Sequence, residues 1–168
     1  MIRKAVATLF VGALTLFGSS AGHAEEGLVT FKVLSPELAL KAANAALESC
    51  RTEGYQVAVA VVDRFGVQQV VLRDRFAGPH TPSTATRKAW TAVSFRTNTV
   101  ELSALAHEDP AIAGVRYVQG ALVLGGGVPV EAAGSIVGGI GISGAPSGAF
   151  DEACARAGIE AIEDDIAF

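Results

Sequence analysis

Two histidines, His80 and His107, are the side chains of this sequence best suited to hold a metal or move a proton near neutral pH. They stand 27 positions apart on loop-like stretches, and a loop histidine also serves simply as a surface residue. A zinc centre takes three or four ligands, and this spacing offers no such set. Glu160 and Glu163 lie at i, i+3 near the C-terminus, so a helix there would turn both carboxylates the same way. They form either a site for a hard or ferric ion or a solvated acidic tail.

A haem iron needs only one or two axial ligands. Because Met1 would leave with an export signal, protein donors reduce mainly to His80, His107, Tyr55, Tyr117, Cys50 and Cys154. The run Gly139-Ile-Gly141-Ile-Ser-Gly144 spells G-x-G-x-x-G, with Asp164 twenty residues on. A dinucleotide site also needs a helix opening at once and a second parallel strand. Pro146 interrupts, and no strand follows before Phe168. No P-loop, H-E-x-x-H or paired C-x-x-C occurs, and Ala145 replaces the second glycine of a nucleophile elbow at Ser143.

The elements that must position these groups follow an N-terminal export pattern. Arg3 and Lys4 precede the apolar stretch 5–17, and Gly22 and Ala24 suit a signal peptidase. Residues 1–24 are predicted to be cleaved, leaving 25–168 as one domain, periplasmic or secreted. Cleavage removes two of the 13 basic residues and none of the 17 acidic ones, for a net charge of 11 − 17 = −6. That balance disfavours nucleic acid and anionic membranes. An oxidising compartment permits a disulfide. Cys50 falls on a stripe with Ala39, Ala43 and Ala46, and Cys154 on one with Phe150, so the pair is either bridged or two separate core fillers.

Ser35-Pro-Glu predicts a helix start, with an alanine-rich helix over 38–51 ended by Gly54. The continuous apolar run 57–62 predicts a strand buried on both faces. Asp63-Arg-Phe-Gly66 predicts a hairpin turn and 67–73 the return strand. A loop over 74–82 leads to a helix over 84–97, with Ser83 as its cap. Short helices near 100–106 and 111–115 precede strands near 121–124, 128–132 and 135–143. A last helix runs from about 147 to 157, where Gly158 is placed to end it. The order predicts an α+β fold, a central antiparallel sheet of about five strands with helices packed against it.

Taken together, Val59-Ala-Val-Val-Asp63-Arg-Phe-Gly66, Leu72-Arg-Asp-Arg75, Arg87-Lys88-Ala-Trp-Thr91-Ala92, Gly125-Gly-Gly-Val-Pro129, Ile136-Val-Gly-Gly-Ile-Gly-Ile-Ser-Gly144 and Asp151-Glu-Ala-Cys-Ala-Arg-Ala-Gly158 resemble the GlcG/HbpS-like family of haem-binding proteins. That family also supplies the C-terminal domain of PduO-type cobalamin adenosyltransferases. The resemblance covers roughly 34–162. It implies a subunit that assembles into dimers to octamers and a non-covalent, b-type haem or related tetrapyrrole. The chain departs from the family at Arg75-Phe-Ala-Gly-Pro79, where the usual methionine and acid are missing and His80 follows.

On this reading His80 is the expected iron ligand, with His107 the other histidine candidate. Arg75, Arg87 or Lys88 would meet the propionates, with Thr91 on the same helix, and Gly125, Gly126 and Gly127 would let the tetrapyrrole lie against backbone. The expected function is haem binding in haem or iron handling. Two alternatives are an enzyme degrading haem or another small molecule in the same groove, and a non-catalytic oligomeric iron or redox sensor read by a partner's extracellular domain.

Overall fold

The strand β1, Ala58–Asp63, is buried along almost its whole length, and the rest of the fold is arranged around it. In this computed structural model residues 27–167 are described, so the predicted signal peptide lies outside the described residues. The body spans Lys32–Phe168. Strand β2 (Gln68–Arg73) returns antiparallel beside β1. Asp63 Oδ1 accepts hydrogen bonds from the Phe65 and Val67 amides and closes the turn. Gly66 takes φ +80, the left-handed conformation that glycine adopts without strain.

Strands β3 (Gly127–Ala132) and β4 (Ser135–Ser143) form a second hairpin, and β4 pairs antiparallel with β1. The sheet order is β2-β1-β4-β3, four strands among the described residues rather than about five. The predicted strand at 121–124 is absent from the ladder because α2 (Thr81–Phe95) takes its polar groups. The Leu122 amide donates to Thr91 Oγ1, and the Ala121 carbonyl accepts from Arg87.

The period-2 alternation of a strand divides β1 between two packing faces. Val59 and Val61 face a core with α1 (Pro36–Thr52) and α4 (Gly148–Glu160). Ala58, Ala60 and Val62 face α2 through Ala85, Ala89 and Val93. The β4 glycines let α2 approach closely. A Cβ at Gly141 would overlap the Ala85 carbonyl oxygen, and one at Gly139 would meet Val93.

Helix α1 starts as its sequence predicts, with Ser35 Oγ accepting from the Leu38 amide and Pro36 in the first turn. Helix α2 begins at Thr81, earlier than predicted. Pro82 fits the first turn, so His80 rather than Ser83 stands at the N-cap. Gly158 does not end α4; it packs against the Ala42 carbonyl of α1, and the helix runs on to Glu160. The acidic tail adds a short helix α5, Glu163–Ile166. Between α2 and β3 lie α3 (Thr99–Glu108) and a 3-10 turn, Ala113–Tyr117.

Cys50 of α1 and Cys154 of α4 form a disulfide, with Cα atoms 5.5 Å apart. The bridge joins the two helices that cover one face of the sheet. No helix among the described residues is long and apolar enough to cross a membrane.

Candidate functional site

Helices α2 and α4 both begin beside the end of β4, and a cleft of about 650 Å³ opens there. The loop between β2 and α2 brings Phe76 and His80 to it, and the turn after α1 brings Tyr55. Leu124 and the 144–148 turn supply the remaining lining, with the buried Lys88, Ser143 and Asp151 at its inner end. Phe76 and Leu124 are largely exposed apolar side chains, 79% and 48%, on the surface of one concavity. Polar side chains share the lining, Gln56, Thr81 and Ser147 beside His80, so apolar surface and hydrogen-bonding groups face one concavity, the combination a small-molecule site uses.

His80 is exposed at the start of α2. Its carbonyl accepts from the Thr84 amide and from the Ser83 and Thr84 hydroxyls, which holds the backbone while the ring stays at the cleft. The ring lies over Gly78, where a Cβ would come within 2.7 Å of its Cε1. Neither α2 nor α4 has a side-chain cap on its first amides. At α2 the Thr81 amide already donates to the Gly78 carbonyl and Pro82 has no N–H, so it is the start of α4, at Ser147 and Gly148, that turns positive partial charge toward the cleft.

Lys88 is buried, with Nζ 2.7 Å from Asp151 Oδ2 and 2.9 Å from the Ile142 carbonyl. Asp151 Oδ1 accepts from the Ala145 amide at 3.0 Å. Burial pushes the Asp151 carboxyl above its ordinary range, against the opposing pull of Lys88 and the Ala145 amide. Where β2 gives way to the cleft loop, the buried Asp74 accepts two hydrogen bonds from Arg51, at 2.7 and 3.0 Å. Those bonds hold its carboxyl below the usual range.

The predicted site residues therefore separate. His80 and Lys88 line the cleft together. Lys88, expected to meet a propionate, is paired with Asp151. Arg87 and Thr91 carry the 120–122 segment instead of facing the cleft, because their polar groups are engaged by its backbone. Gly125, Gly126 and Gly127 lie outside the cleft lining. A Cβ at these positions would strike Val100 and Gly148, Asp151, and the Lys88 carbonyl respectively, so they serve close packing.

Arg75 is exposed on the cleft loop without lining the cleft. His107 is in the last turn of α3 rather than on a loop, away from the lining. Glu160 and Glu163 border a separate pocket of about 660 Å³ with Glu101, Glu131, Arg96 and Arg156. Among the described residues no group of three or more His, Cys, Asp or Glu is arranged to hold a metal ion.

Phe76, Leu124 and Asp151 are among the cleft residues that the sequence did not single out for a site. Of these, Asp151 was the most accessible to inference. A lysine carried to the inner face of a helix needs a counterion, and an acid in the first turn of another helix can supply it.

Residues 34–160 match the family described as haem-degrading protein HbpS-like, and the chain belongs to that family. A double-mutant form of HbpS from Streptomyces reticuli is 42% identical, with a TM-score of 0.75, over 92% of this chain and 97% of that one. PduOC, solved as a heme complex, is 34% identical with a TM-score of 0.70, over 77% of this chain and 95% of that one. The corrinoid adenosyltransferase PduO of Salmonella typhimurium is 37% identical over 102 residues. That match spans 60% of this chain and 30% of the length of PduO.

Proposed function

We propose that this chain is an exported haem-binding protein of haem or iron handling, and that its site is the cleft between the starts of α2 and α4. One observation carries the assignment: the imidazole of His80 and the exposed apolar faces of Phe76 and Leu124 share one cleft. The heme complex of the related PduOC supports the ligand class.

The residues present fit a haem. His80 offers an accessible nitrogen, and Phe76, Leu124 and Tyr55 offer apolar and aromatic surface to a tetrapyrrole plane. No unengaged lysine or arginine lines the cleft, so the uncapped start of α4 takes the anion-facing role first given to Arg75, Arg87 or Lys88. A bound haem would supply an iron centre open to ligand exchange and electron transfer. The protein's part is to hold the ring against the apolar lining, shield that face from water and present the imidazole.

Export rests on the signal pattern at 1–24 and on a disulfide that suits an oxidising compartment. A periplasmic or secreted chain begins at Glu25 by N-terminal sequencing. Self-association is supported by large apolar side chains outside the cleft, Tyr117 at 89% exposure and Val118 at 45%. Light scattering reads the subunit number.

Haemin titration of the full chain tests the ligand. A Soret shift saturating at one haemin per subunit supports it, and no shift at stoichiometric haemin contradicts it. An unchanged bound spectrum in His80→Ala removes the ligand role of His80 alone. The family description favours a second reading, haem degradation in the same cleft. It predicts haemin loss with a reductant or peroxide, faster than for free haemin, with release of iron or a bile pigment.

A further inference from the structure

The disulfide lies on a continuous path between the two sides of the cleft. Cys50 is at the C-terminal end of α1, and its carbonyl accepts from the Tyr55 amide at 2.9 Å. The next residue, Arg51, grips Asp74 through two hydrogen bonds at the root of the loop that carries Phe76 and His80. On the other side, Cys154 follows Asp151 by three residues on α4, close to one helical turn. Asp151 holds both Lys88 and the Ala145 amide of the 144–148 turn. The path Asp74–Arg51–Cys50–Cys154–Asp151–Lys88 thus has an ionic link at each end and covalent links between them.

We propose that the Cys50–Cys154 bridge, with Arg51 and Asp151, is a positioning brace that holds the Phe76–His80 loop and the 144–148 turn at ligand-binding distance. The bridge joins the last turn of α1 to the middle of α4, and the polar contacts nearest it along each helix, Arg51–Asp74 and Asp151–Lys88, lead to the cleft loop and to the cleft itself. Both sulfur-bearing residues are buried, at 0% and 2% exposure, so the brace works from inside the fold without touching ligand. These are positioning residues, and the ligand-binding part of the proposal rests on the haem reading above.

The test uses the full chain in three forms: wild type, Cys50→Ala/Cys154→Ala, and Arg51→Met, which keeps the bridge and cuts one arm. Val130→Ala, a buried β3 position in the same core as both cysteines but outside the chain of links, serves as a destabilised control. Amide hydrogen exchange without ligand is read first, under conditions where every variant is folded. The brace predicts faster exchange at 74–81 and 145–151 in the double variant and at 74–81 alone in Arg51→Met, with Val130→Ala unchanged there.

Haemin is the ligand probe. About tenfold weaker binding is expected in the double variant, within the usual range for residues that act through others. Equal exchange in those segments across all variants, or equal weakening of haemin binding in Val130→Ala, overturns the proposal. Failure of the wild type to bind haemin removes the haem reading instead, and the exchange data still decide the brace.

Discussion

Lys88 and Asp151 meet 2.7 Å apart at the inner end of the cleft, joining α2 to α4 across the end of the sheet. Removing Lys88 leaves a buried carboxylate without its cation. Breaking such a pair costs about 3–5 kcal/mol, whereas replacing both members with apolar groups costs much less. Lys88→Met is therefore expected to lose stability in that range by urea denaturation, and Lys88→Met/Asp151→Leu to recover much of the loss. A loss in Lys88→Met/Asp151→Leu equal to the sum of the losses in Lys88→Met and Asp151→Leu would contradict the coupling.

The two buried carboxyls respond to acid with opposite signs. Asp74 is held below its usual range by Arg51, so its contribution is present above about pH 4 and is lost as pH falls through the native value. Asp151 is raised by burial, so its contribution is present in its protonated form and is lost as pH rises through the native value. Melting temperatures between pH 6 and 3 should fall less steeply in Asp74→Asn than in the wild type. They should fall more steeply in Asp151→Asn, which lacks the opposing term.

The disulfide closes a span of 104 positions. In the chain-entropy account, a loop of that size stabilises by up to ~4.7 kcal/mol. Thiol titration of the unfolded, unreduced chain is expected to find no free thiol. Denaturation with and without a reductant measures the difference in stability.

Gly141→Ala is expected to destabilise because the added methyl would meet the Ala85 carbonyl of α2. Overpacking of this kind costs about 1–3 kcal/mol. Gly114, with open space at the same position, serves as the control. Urea midpoints for the two alanine variants should separate accordingly.

Much of this fold was legible because its signals are local. Ser35-Pro36 marks a helix start through capping chemistry, Asp63 to Gly66 a hairpin turn, and the valine run at 57–62 a two-faced strand. The 121–124 stretch has the same apolar composition as a strand, but Arg87 and Thr91, more than thirty residues away, remove it from the sheet. A pattern of nearest neighbours carries no trace of that contact.

The site was legible in part for the same reason. His80 stands out as a residue type on a loop, and the structure places it at the cleft. Lys88 and Arg87 read as available charges because sequence does not show that Asp151 and the 120–121 carbonyls already hold them. Gly125 to Gly127 read equally well as a ligand wall or as packing, and only the close approach of three helices decides between the two. The family motifs supplied what spacing alone could not, the ligand class to test.

The central claim is that haem occupies the cleft lined by His80, Phe76 and Leu124. Its most direct test is equilibrium haemin titration of the wild type beside Leu124→Glu, a charge placed in the cleft, and Val67→Glu, a charge on an exposed apolar position outside it. The predicted result is saturable binding that Leu124→Glu weakens at least about tenfold and Val67→Glu leaves unchanged, since a tenfold loss is the size of one well-placed contact. Identical titrations for the wild type and Leu124→Glu would contradict the placement of haem in this cleft.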